Sequence, residues 1–369
     1  MTNGFRSSML ISLRMSLRNI AKTFLGIGTG LALGLLVAWF AGESPFHVLK
    51  ILLTSAFGSS YSFGMTLFYA VPLIFTGIAV AIPYRAGLFN IGAEGQLTIG
   101  SICSVLFCVA FPDLGTPWAI PLAAIAAFAG GALWGGLVGW LKARRGSHEV
   151  ITTIMLNFIG AALASYIALY WIKDPMTQDV ESIRIAPQYF LKAWNFLEGA
   201  PIGWVVAFAV LACLVLDWVL HFGSFGYSLK AVGSNERASE LAGIRKEKIW
   251  IQSMALGGGF AGLVGLVTVL GHAHRYKIGL SADFGFMGIA VALVARGRIL
   301  NVLWSALLFA ALQKGAGDLE IETDTLTRDL VYWIQGLIIL GVAAESMWDG
   351  LFHFIRKVIH QIRRGRATS

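Results

Sequence analysis

The sequence has little charge for its length. Only 13% of its 369 residues are Asp, Glu, Lys or Arg, whereas 57% are hydrophobic. Soluble domains carry about 25% charged residues, so the composition argues against a chain of soluble domains and for one polytopic membrane bundle. The formal net charge of +8 does not indicate nucleic-acid binding, because the cations cluster in short loops between apolar runs.

The sequence also lacks the motifs of hydrolytic and metal chemistry. It contains no Walker A sequence, no H-E-x-x-H and no G-x-S-x-G. His272 and His274 have no carboxylate at ligand spacing, so we interpret them as solvent-exposed loop residues. Cys103, Cys108 and Cys213 lie in apolar runs and are interpreted as packing residues. We therefore predict no catalytic activity, no bound metal and no cofactor in this chain.

Long apolar runs are what the sequence has in abundance. A helix needs about 20 mostly apolar residues to cross a bilayer. The runs predict an all-α fold, a polytopic transmembrane helix bundle of about ten spans within residues 24–349. Residues 46–57 are apolar but too short to cross. The predicted spans lie near residues 24–41, 65–83, 97–112, 118–141, 150–172, 202–221, 249–270, 284–295, 299–314 and 330–349.

The distribution of basic residues predicts the orientation of the bundle. Cytoplasmic loops of membrane proteins carry an excess of Lys and Arg. The N-terminal segment 1–23 and the C-terminal tail 350–369 are basic, so both termini are expected in the cytoplasm. One stretch conflicts with this scheme, because residues 272–277 (HAHRYK) are basic and yet fall outside. The loops predicted to be cytoplasmic include 142–149 and 222–248, and those predicted to be outside include 173–201 and 315–329.

Residues 85–100 (RAGLFNIGAEGQLTIG) place charged and polar side chains between two apolar runs. A charged side chain at membrane depth costs about 2.5–3.5 kcal/mol on insertion scales, and irregular backbone there needs cover from protein or water. The stretch predicts a broken, re-entrant element beside a polar path; a cytosolic loop with tight turns is the alternative. We expect Glu94 to accept hydrogen bonds from free backbone N–H groups or to pair with Arg85. The candidate path residues are Arg85, Asn90, Glu94 and Gln96.

A second polar, glycine-bearing interruption occurs at residues 279–298. Five spans precede the 173–201 loop and five follow it, which predicts two pseudo-symmetric halves of opposite orientation. Paired interruptions in inverted repeats indicate the central pathway of a transporter.

The loop at 222–248 contains a short amphipathic helix at residues 235–243. Ser234 or Asn235 can cap its start and Gly243 can end it. The residues alone leave two interpretations open: a docking element for a soluble partner, or a surface helix that covers the span ends. The candidate docking residues are Asn235, Glu236, Ala238, Glu240, Ala242 and Gly243.

Four ordered stretches resemble one known family: 84–96 (YRAGLFNIGAEGQ), 149–157 (EVITTIMLN), 229–244 (LKAVGSNERASELAGI) and the run FGFMGIAVALVARGRILNVLWSALLFAAL from Phe284. Together they are similar to the permease subunit of bacterial ABC importers of the simple-sugar and nucleoside branch, related to branched-chain amino-acid permeases. The similarity covers residues 60–345. It departs from the family at VARGRIL (294–300), where relatives often carry a glycine–asparagine–proline turn.

The resemblance implies a function and a set of partners. The chain is expected to be a permease in the bacterial inner membrane, surrounded by lipid, that forms the translocation path for a nucleoside or related purine compound. Its expected partners are a second permease subunit, usually a different chain, an ABC ATPase, often with two fused cassettes, and an extracytoplasmic substrate-binding lipoprotein. The resemblance also makes 222–248 the ATPase-coupling segment and 85–100 the broken segment by the substrate path.

Two other functions remain open at this point. A simple sugar needs the same donors and acceptors as a nucleoside, so Asn90 and Gln96 suit either solute. From a different class, an ion-coupled secondary transporter would need a site such as Glu94 with Asp283, but the capped cytoplasmic helix would then have no purpose.

Overall fold

The structure, a computed structural model, describes residues 2–281, 283–323, 325–344, 348 and 350, with side chains from residue 21 onward. Within these residues the chain forms α-helices, short 3₁₀ segments and one π-helix at Leu266–Ala273, and β-pairing is limited to isolated bridges. The α-helices are α1 Thr2–Phe40, α2 Pro45–Phe57, α3 Ser60–Arg85, α4 Ala93–Ala110, α5 Ala119–Arg145, α6 Glu149–Tyr170, α7 Val205–Phe222, α8 Ser224–Ser234, α9 Glu236–Leu241, α10 Lys246–Gly262, α11 Phe284–Val294, α12 Ile299–Glu322 and α13 Asp329–Ala343.

The predicted all-α polytopic bundle is confirmed. Eight helical stretches in the described part of the chain are long and apolar enough to cross a membrane. They coincide with eight of the ten predicted spans. The other two predicted spans are shorter helices, α11 with 11 residues and α13 with 15. The apolar segment near 46–57 is also a helix, α2, of 13 residues.

Local signals explain several helix ends. The side chain of Ser59 accepts a hydrogen bond from the Ser62 N–H at 3.0 Å and so caps α3. Gly146 follows α5 in the left-handed conformation, with φ of +65°, which a residue without a Cβ adopts at no steric cost.

One compact unit comprises residues 1–50 and 319–369, of which the tail at 351–369 lies outside the described residues. Its helices α1 and α13 approach so closely that a Cβ on Gly26 would lie 2.7 Å from the carbonyl carbon of Gly341. A Cβ on Gly30 would lie 2.5 Å from the Cα of Ile338. Small residues at this spacing allow such backbone contact between membrane helices. Helix α1 runs from Thr2 without a break through residue 23, so residues 2–23 of the basic segment are continuous with the first span.

The second compact unit comprises residues 51–318. Its centre is formed by α3 and by the stretch Lys246–Ala273, whose most apolar windows are 83% and 78% buried, against 28% for α7. Helices α5 and α10 cross with their backbones in contact, because a Cβ on Gly131 would lie 2.1 Å from the Gly258 carbonyl oxygen. The exposed apolar face of α7 is suited to lipid.

Two boundaries differ from the sequence prediction. The prediction of a loop over 315–329 is wrong for its first half, because α12 continues to Glu322. No proline interrupts the helix there, and Lys314 pairs with Asp318 one turn on, at 2.6 Å. The first interruption is also shorter than predicted: helix resumes at Ala93, so the non-helical part is residues 86–92.

Candidate functional site

The first interruption is held together by two buried amides. Asn90 is fully buried, and its Nδ2 donates to Gln96 Oε1 at 2.9 Å and to the Ala79 carbonyl at 3.0 Å. Gln96 Nε2 donates back to Asn90 Oδ1 at 3.1 Å, and the Gly92 N–H donates to the same oxygen at 3.1 Å. These two predicted path residues therefore hydrogen-bond to each other, and Asn90 also bonds to the backbone on both sides of the break.

A third amide comes from α6. Asn157 Oδ1 accepts from the Gly95 N–H at 2.8 Å, and Asn157 Nδ2 donates to the Ile91 carbonyl at 3.0 Å. Asn157 thus satisfies two backbone groups that helix hydrogen bonds leave unpaired: the Gly95 N–H at the start of α4 and the Ile91 carbonyl in the break. Asn157 was not among the residues predicted from the sequence to line the path. The available signal was an isolated Asn in an apolar helix, which in a membrane is costly unless a partner is present.

The second interruption surrounds the short helix α11. Asp283 precedes the helix with φ of +58°, and Arg296 and Gly297 follow it with φ of +54° and +65°. Non-glycine residues adopt positive φ only where the surroundings impose it. Residues from the first interruption contact both ends of α11: Glu94 Oε2 accepts from the Gly285 N–H at 2.8 Å, and Arg85 Nε donates to the Gly297 carbonyl at 2.9 Å.

This arrangement decides between the two expectations for Glu94. The carboxylate accepts a hydrogen bond from a free backbone N–H, as predicted, and that N–H belongs to the first turn of α11. Arg85 is bonded to Gly297 instead of Glu94. The two predicted interruptions therefore meet, and Arg85 and Glu94 are the residues that join them.

A cavity of about 110 Å³, lined by both polar and apolar side chains, lies beside this junction. It has room for several waters. Of the four predicted path residues, Glu94 lines the cavity. Burial raises the pKa of Tyr276 to about 12, so its hydroxyl stays protonated and can donate. The polar lining residues are Glu94, Thr98, Ser101, Asn157, Ser165, Thr268, Tyr276 and Ser281.

The loop at 173–201 contacts the basic stretch that conflicted with the predicted topology. Arg275 pairs with Glu181 at 2.8 Å and with Asp174 at 3.6 Å, and Lys277 pairs with Glu181 at 2.6 Å. The hydrogen bond from Lys277 holds the pKa of Glu181 below its usual range. Arg275 and Lys277 are thus paired with carboxylates of the loop at 173–201. The side of the membrane on which this contact lies stays a prediction.

The loop at 173–201 also bonds to the backbone of Tyr276, which lines the cavity. The Ser182 N–H donates to the Tyr276 carbonyl, and the Tyr276 N–H donates to Ser182 Oγ, both at 2.9 Å.

His272 is exposed as predicted, whereas His274 is half-buried and stacks on Phe190 with ring centroids 3.7 Å apart. Within the described residues no group of three potential metal ligands comes together.

The loop at 222–248 contains the predicted capped helix. Asn235 Oδ1 accepts from the Ala238 N–H at 3.0 Å, and Gly243, with φ of +80°, follows the helix. Lys246 pairs with Glu236 at 3.4 Å and with Glu240 at 3.2 Å, which ties α9 to the start of α10.

Helix α9 presents a small apolar face beside exposed charged side chains. Leu241 is 92% exposed, and Ala238 and Ala242 next to it are exposed, as are Arg237 and Glu240. Leu241 was not among the candidate docking residues.

Helix α8, which leads into α9, contacts the first interruption. A Cβ on Gly233 would lie 2.2 Å from the Arg85 carbonyl oxygen, and a Cβ on Gly87 would lie 3.4 Å from the Gly233 Cα. Gly87 has φ of +77°, so both glycines are required by the local geometry. The capped helix and the broken segment are therefore connected through one turn of α8.

Comparison with known proteins agrees with this architecture. Residues 62–343 match the family described as branched-chain amino acid transport system / permease component. The chain belongs to this family, and it is accordingly a multi-pass membrane protein and the permease component of an ABC transport system, not itself an enzyme. The resemblance inferred from the four motifs is confirmed.

Three relatives cover most of the chain. The nucleoside ABC transporter permease protein NupB of Lactococcus lactis is 32% identical over 89% of this chain and 92% of its own length. The guanosine ABC transporter permease protein NupP of Bacillus subtilis is 35% identical over 89% and 94%. The glucose ABC transporter permease protein TsgB13 of Haloferax volcanii is 31% identical over 92% and 93%. The first two organisms each have a second, less similar permease protein, NupC at 24% and NupQ at 26% identity.

Proposed function

We propose that this chain forms the translocation path of an ABC importer for a nucleoside or a related purine compound. The observation that carries the proposal is the cavity beside the junction of the two interruptions, with Glu94 and several hydroxyl groups in its wall. Such a cavity suits a neutral solute rich in hydroxyl groups. The names of the Lactococcus and Bacillus relatives favour a nucleoside, and the Haloferax relative keeps a simple sugar as the second candidate. The match to an ABC permease family argues against the alternative of an ion-coupled secondary transporter.

The four predicted path residues take different parts in this proposal. Glu94 faces the solute. Asn90 and Gln96 hold the broken backbone, and Arg85 positions the far end of α11. In this proposal Glu94 contacts the solute, and Arg85, Asn90 and Gln96 hold the surrounding backbone in place.

We propose that ATP is hydrolysed on a separate ABC ATPase, with two fused cassettes, that docks on α9. The apolar face of Ala238, Leu241 and Ala242 supplies the contact, and the ion pairs of Glu236 and Glu240 with Lys246 orient it. An extracytoplasmic lipoprotein delivers the solute. The NupB with NupC and NupP with NupQ pairs support a second, different permease chain as partner. Both termini lie in the cytoplasm of a bacterial cell, with α9 on the same side of the inner membrane.

Uptake by the reconstituted system tests the function. The chain, its partner permease, the ATPase and the lipoprotein are expressed in a host without nucleoside importers, and labelled inosine and glucose uptake are compared. We expect saturable, ATP-dependent inosine uptake that requires this chain. Glucose uptake without inosine uptake would favour the sugar importer. ATP hydrolysis that copurifies with this chain alone would contradict the permease assignment.

Substitution on α9 tests the docking site. Ala238→Trp and Gly243→Trp, with Leu241→Asp as a further variant, should abolish uptake and solute-stimulated ATP hydrolysis while the protein still folds and inserts. Ser228→Ala, a half-buried residue of α8 outside the face, is the control. A cysteine at 238 should cross-link to the ATPase. Normal transport by the Trp variants and no cross-link would place the ATPase contact elsewhere, for example at residues 142–149.

A further inference from the structure

The cavity wall is rich in hydrogen-bond acceptors. The Thr98 hydroxyl donates to the Glu94 carbonyl at 2.8 Å, the Ser165 hydroxyl to the Ala161 carbonyl at 2.8 Å, and the Thr268 hydroxyl to the Val264 carbonyl at 3.2 Å. A hydroxyl has one proton and two lone pairs. Because these protons are committed to the helix backbone, the three hydroxyls offer lone pairs to the cavity.

Glu94 adds a carboxylate to these acceptors. A carboxylate has about four lone-pair sites. The Gly285 N–H occupies one of them at 2.8 Å, and the Ser281 side chain hydrogen-bonds to the same carboxylate, which leaves about two sites for a ligand. No Lys or Arg in the described part of the chain pairs with it. A buried acceptor is stable only when donors reach it. The Tyr276 hydroxyl can donate, but the free positions on Glu94 and on the three hydroxyls are acceptors. The cavity therefore favours a ligand that brings several donors and no negative charge.

We propose that the cavity binds the ribose of the nucleoside, with the vicinal hydroxyls of the sugar donating to Glu94, Thr98 and Thr268. The inference rests on the proposed function and specifies which part of the solute the permease recognises. Ribose hydroxyls are donors on adjacent carbons, and they match a carboxylate flanked by hydroxyl lone pairs. The 110 Å³ volume admits a group the size of a pentose ring, whereas the base remains outside it. A nucleotide is rejected, because its phosphate would meet the Glu94 carboxylate without a cation to offset it.

Binding to the permease itself tests the proposal. The permease–ATPase complex is purified without the binding protein, and inosine is added for saturation-transfer difference NMR. We expect ribose protons to receive more saturation than base protons, and methyl β-D-ribofuranoside to compete. Binding of 2′,3′-dideoxyinosine should be weaker by about tenfold or more, since a hydrogen bond to a charged group contributes about 1.5–3 kcal/mol.

Matched variants separate the cavity from the fold. Thr98→Val and Thr268→Val keep side-chain volume and remove an acceptor, so each should weaken inosine binding several-fold. Thr152→Val is the control, because Thr152 lies on α6, is half-buried and makes the same type of bond, to the His148 carbonyl at 3.1 Å, outside the cavity. Glu94→Gln keeps an acceptor for Gly285 and should weaken binding of inosine more than that of its dideoxy analogue.

Two results would overturn the inference: equal binding of inosine and its dideoxy analogue, including no binding of either, or wild-type affinity in both cavity variants. Inosine uptake by the wild-type system is measured in parallel. Uptake together with either result overturns the ribose site alone. Absence of inosine uptake overturns the proposed function.

Discussion

The two interruptions differ in how they satisfy their backbone. The first, residues 86–92, is supported by amides: Asn90 and Gln96 bond each other, and Asn157 bonds the start of α4. The second takes a key acceptor from the first, because the Gly285 N–H at the start of α11 donates to Glu94. Its far end, at Gly297, accepts from Arg85.

This difference predicts which element is the more easily displaced. Irregular backbone in a membrane persists only where protein covers its polar groups. The first interruption is covered by neighbouring amides, whereas the two ends of α11 are bonded to Glu94 and Arg85, which flank that interruption. We therefore predict that the first interruption is the fixed support. The turn of α8 beside Gly233 contacts the same support at Arg85 and Gly87. A displacement of α9 by an ATPase would therefore reach α11 through Arg85.

Removing the Glu94 carboxylate, which accepts the hydrogen bond from the Gly285 N–H, should have the largest effect on uptake. Glu94→Leu leaves the Gly285 N–H without its acceptor, at a cost of about 1–3 kcal/mol, and should abolish uptake. Glu94→Gln retains an acceptor oxygen and should keep part of the uptake. Labelled inosine uptake is measured at matched membrane levels of each variant. Equal loss with both variants would show that the charge itself is required.

Crowding the contact between α8 and the first interruption should have the next largest effect. Gly233→Ala places a Cβ 2.2 Å from the Arg85 carbonyl oxygen, and overpacking of this kind costs about 1–3 kcal/mol. Uptake should fall several-fold while ATPase binding persists, because α9 is unchanged. Gly28→Ala is the control, since nothing lies within 4 Å of its added Cβ. Wild-type uptake by Gly233→Ala would separate α8 from the pathway.

Weakening the first interruption tests whether it is the fixed support. Asn90→Ala leaves buried partners in Gln96 and the Ala79 carbonyl unpaired, which costs about 1–3 kcal/mol for each unsatisfied group. We expect a lower thermal unfolding temperature and reduced uptake. Asn301→Ala serves for comparison, because Asn301 is exposed and its bond to the Ala295 carbonyl is 3.4 Å long. Equal unfolding temperatures for both variants would contradict the assigned role.

Substitution of Glu181, which lies outside the two interruptions, should have the smallest effect, and that effect is on thermal stability. Its pKa is lowered in the folded state by the hydrogen bond from Lys277, so the stabilisation is fully present above the unfolded pKa of about 4.3 and is lost as pH falls through the folded value. Glu181→Gln should lower the unfolding temperature slightly near pH 7, and the difference from wild type should vanish once the pH falls below the lowered pKa of Glu181 in the folded state. Glu198→Gln, in the same loop and exposed, should show no such pH dependence. A constant difference at all pH values would exclude the ion pairs as its cause.

Much of the fold could be predicted because its signals are local. Apolar run length predicted the helices, and the polar stretch at 85–100 predicted a break next to α4. Asn235 and Gly243 predicted the limits of α9, since a cap acts within one turn. The end of α12 was missed because a fall in hydropathy does not end a helix whose residues tolerate helical geometry.

The sequence by itself thus determined the membrane class, the helices, the two interruptions and the capped helix α9, all from residues within a few turns of one another. The tertiary structure alone decided which groups meet across the chain. Glu94 and Gly285 are 191 positions apart, Arg85 and Gly297 are 212 apart, and Arg275 and Glu181 are 94 apart. No local periodicity encodes such pairs, because they depend on how the helices pack. The sequence marked Glu94 as polar at membrane depth; packing made it both the partner of α11 and the wall of a cavity.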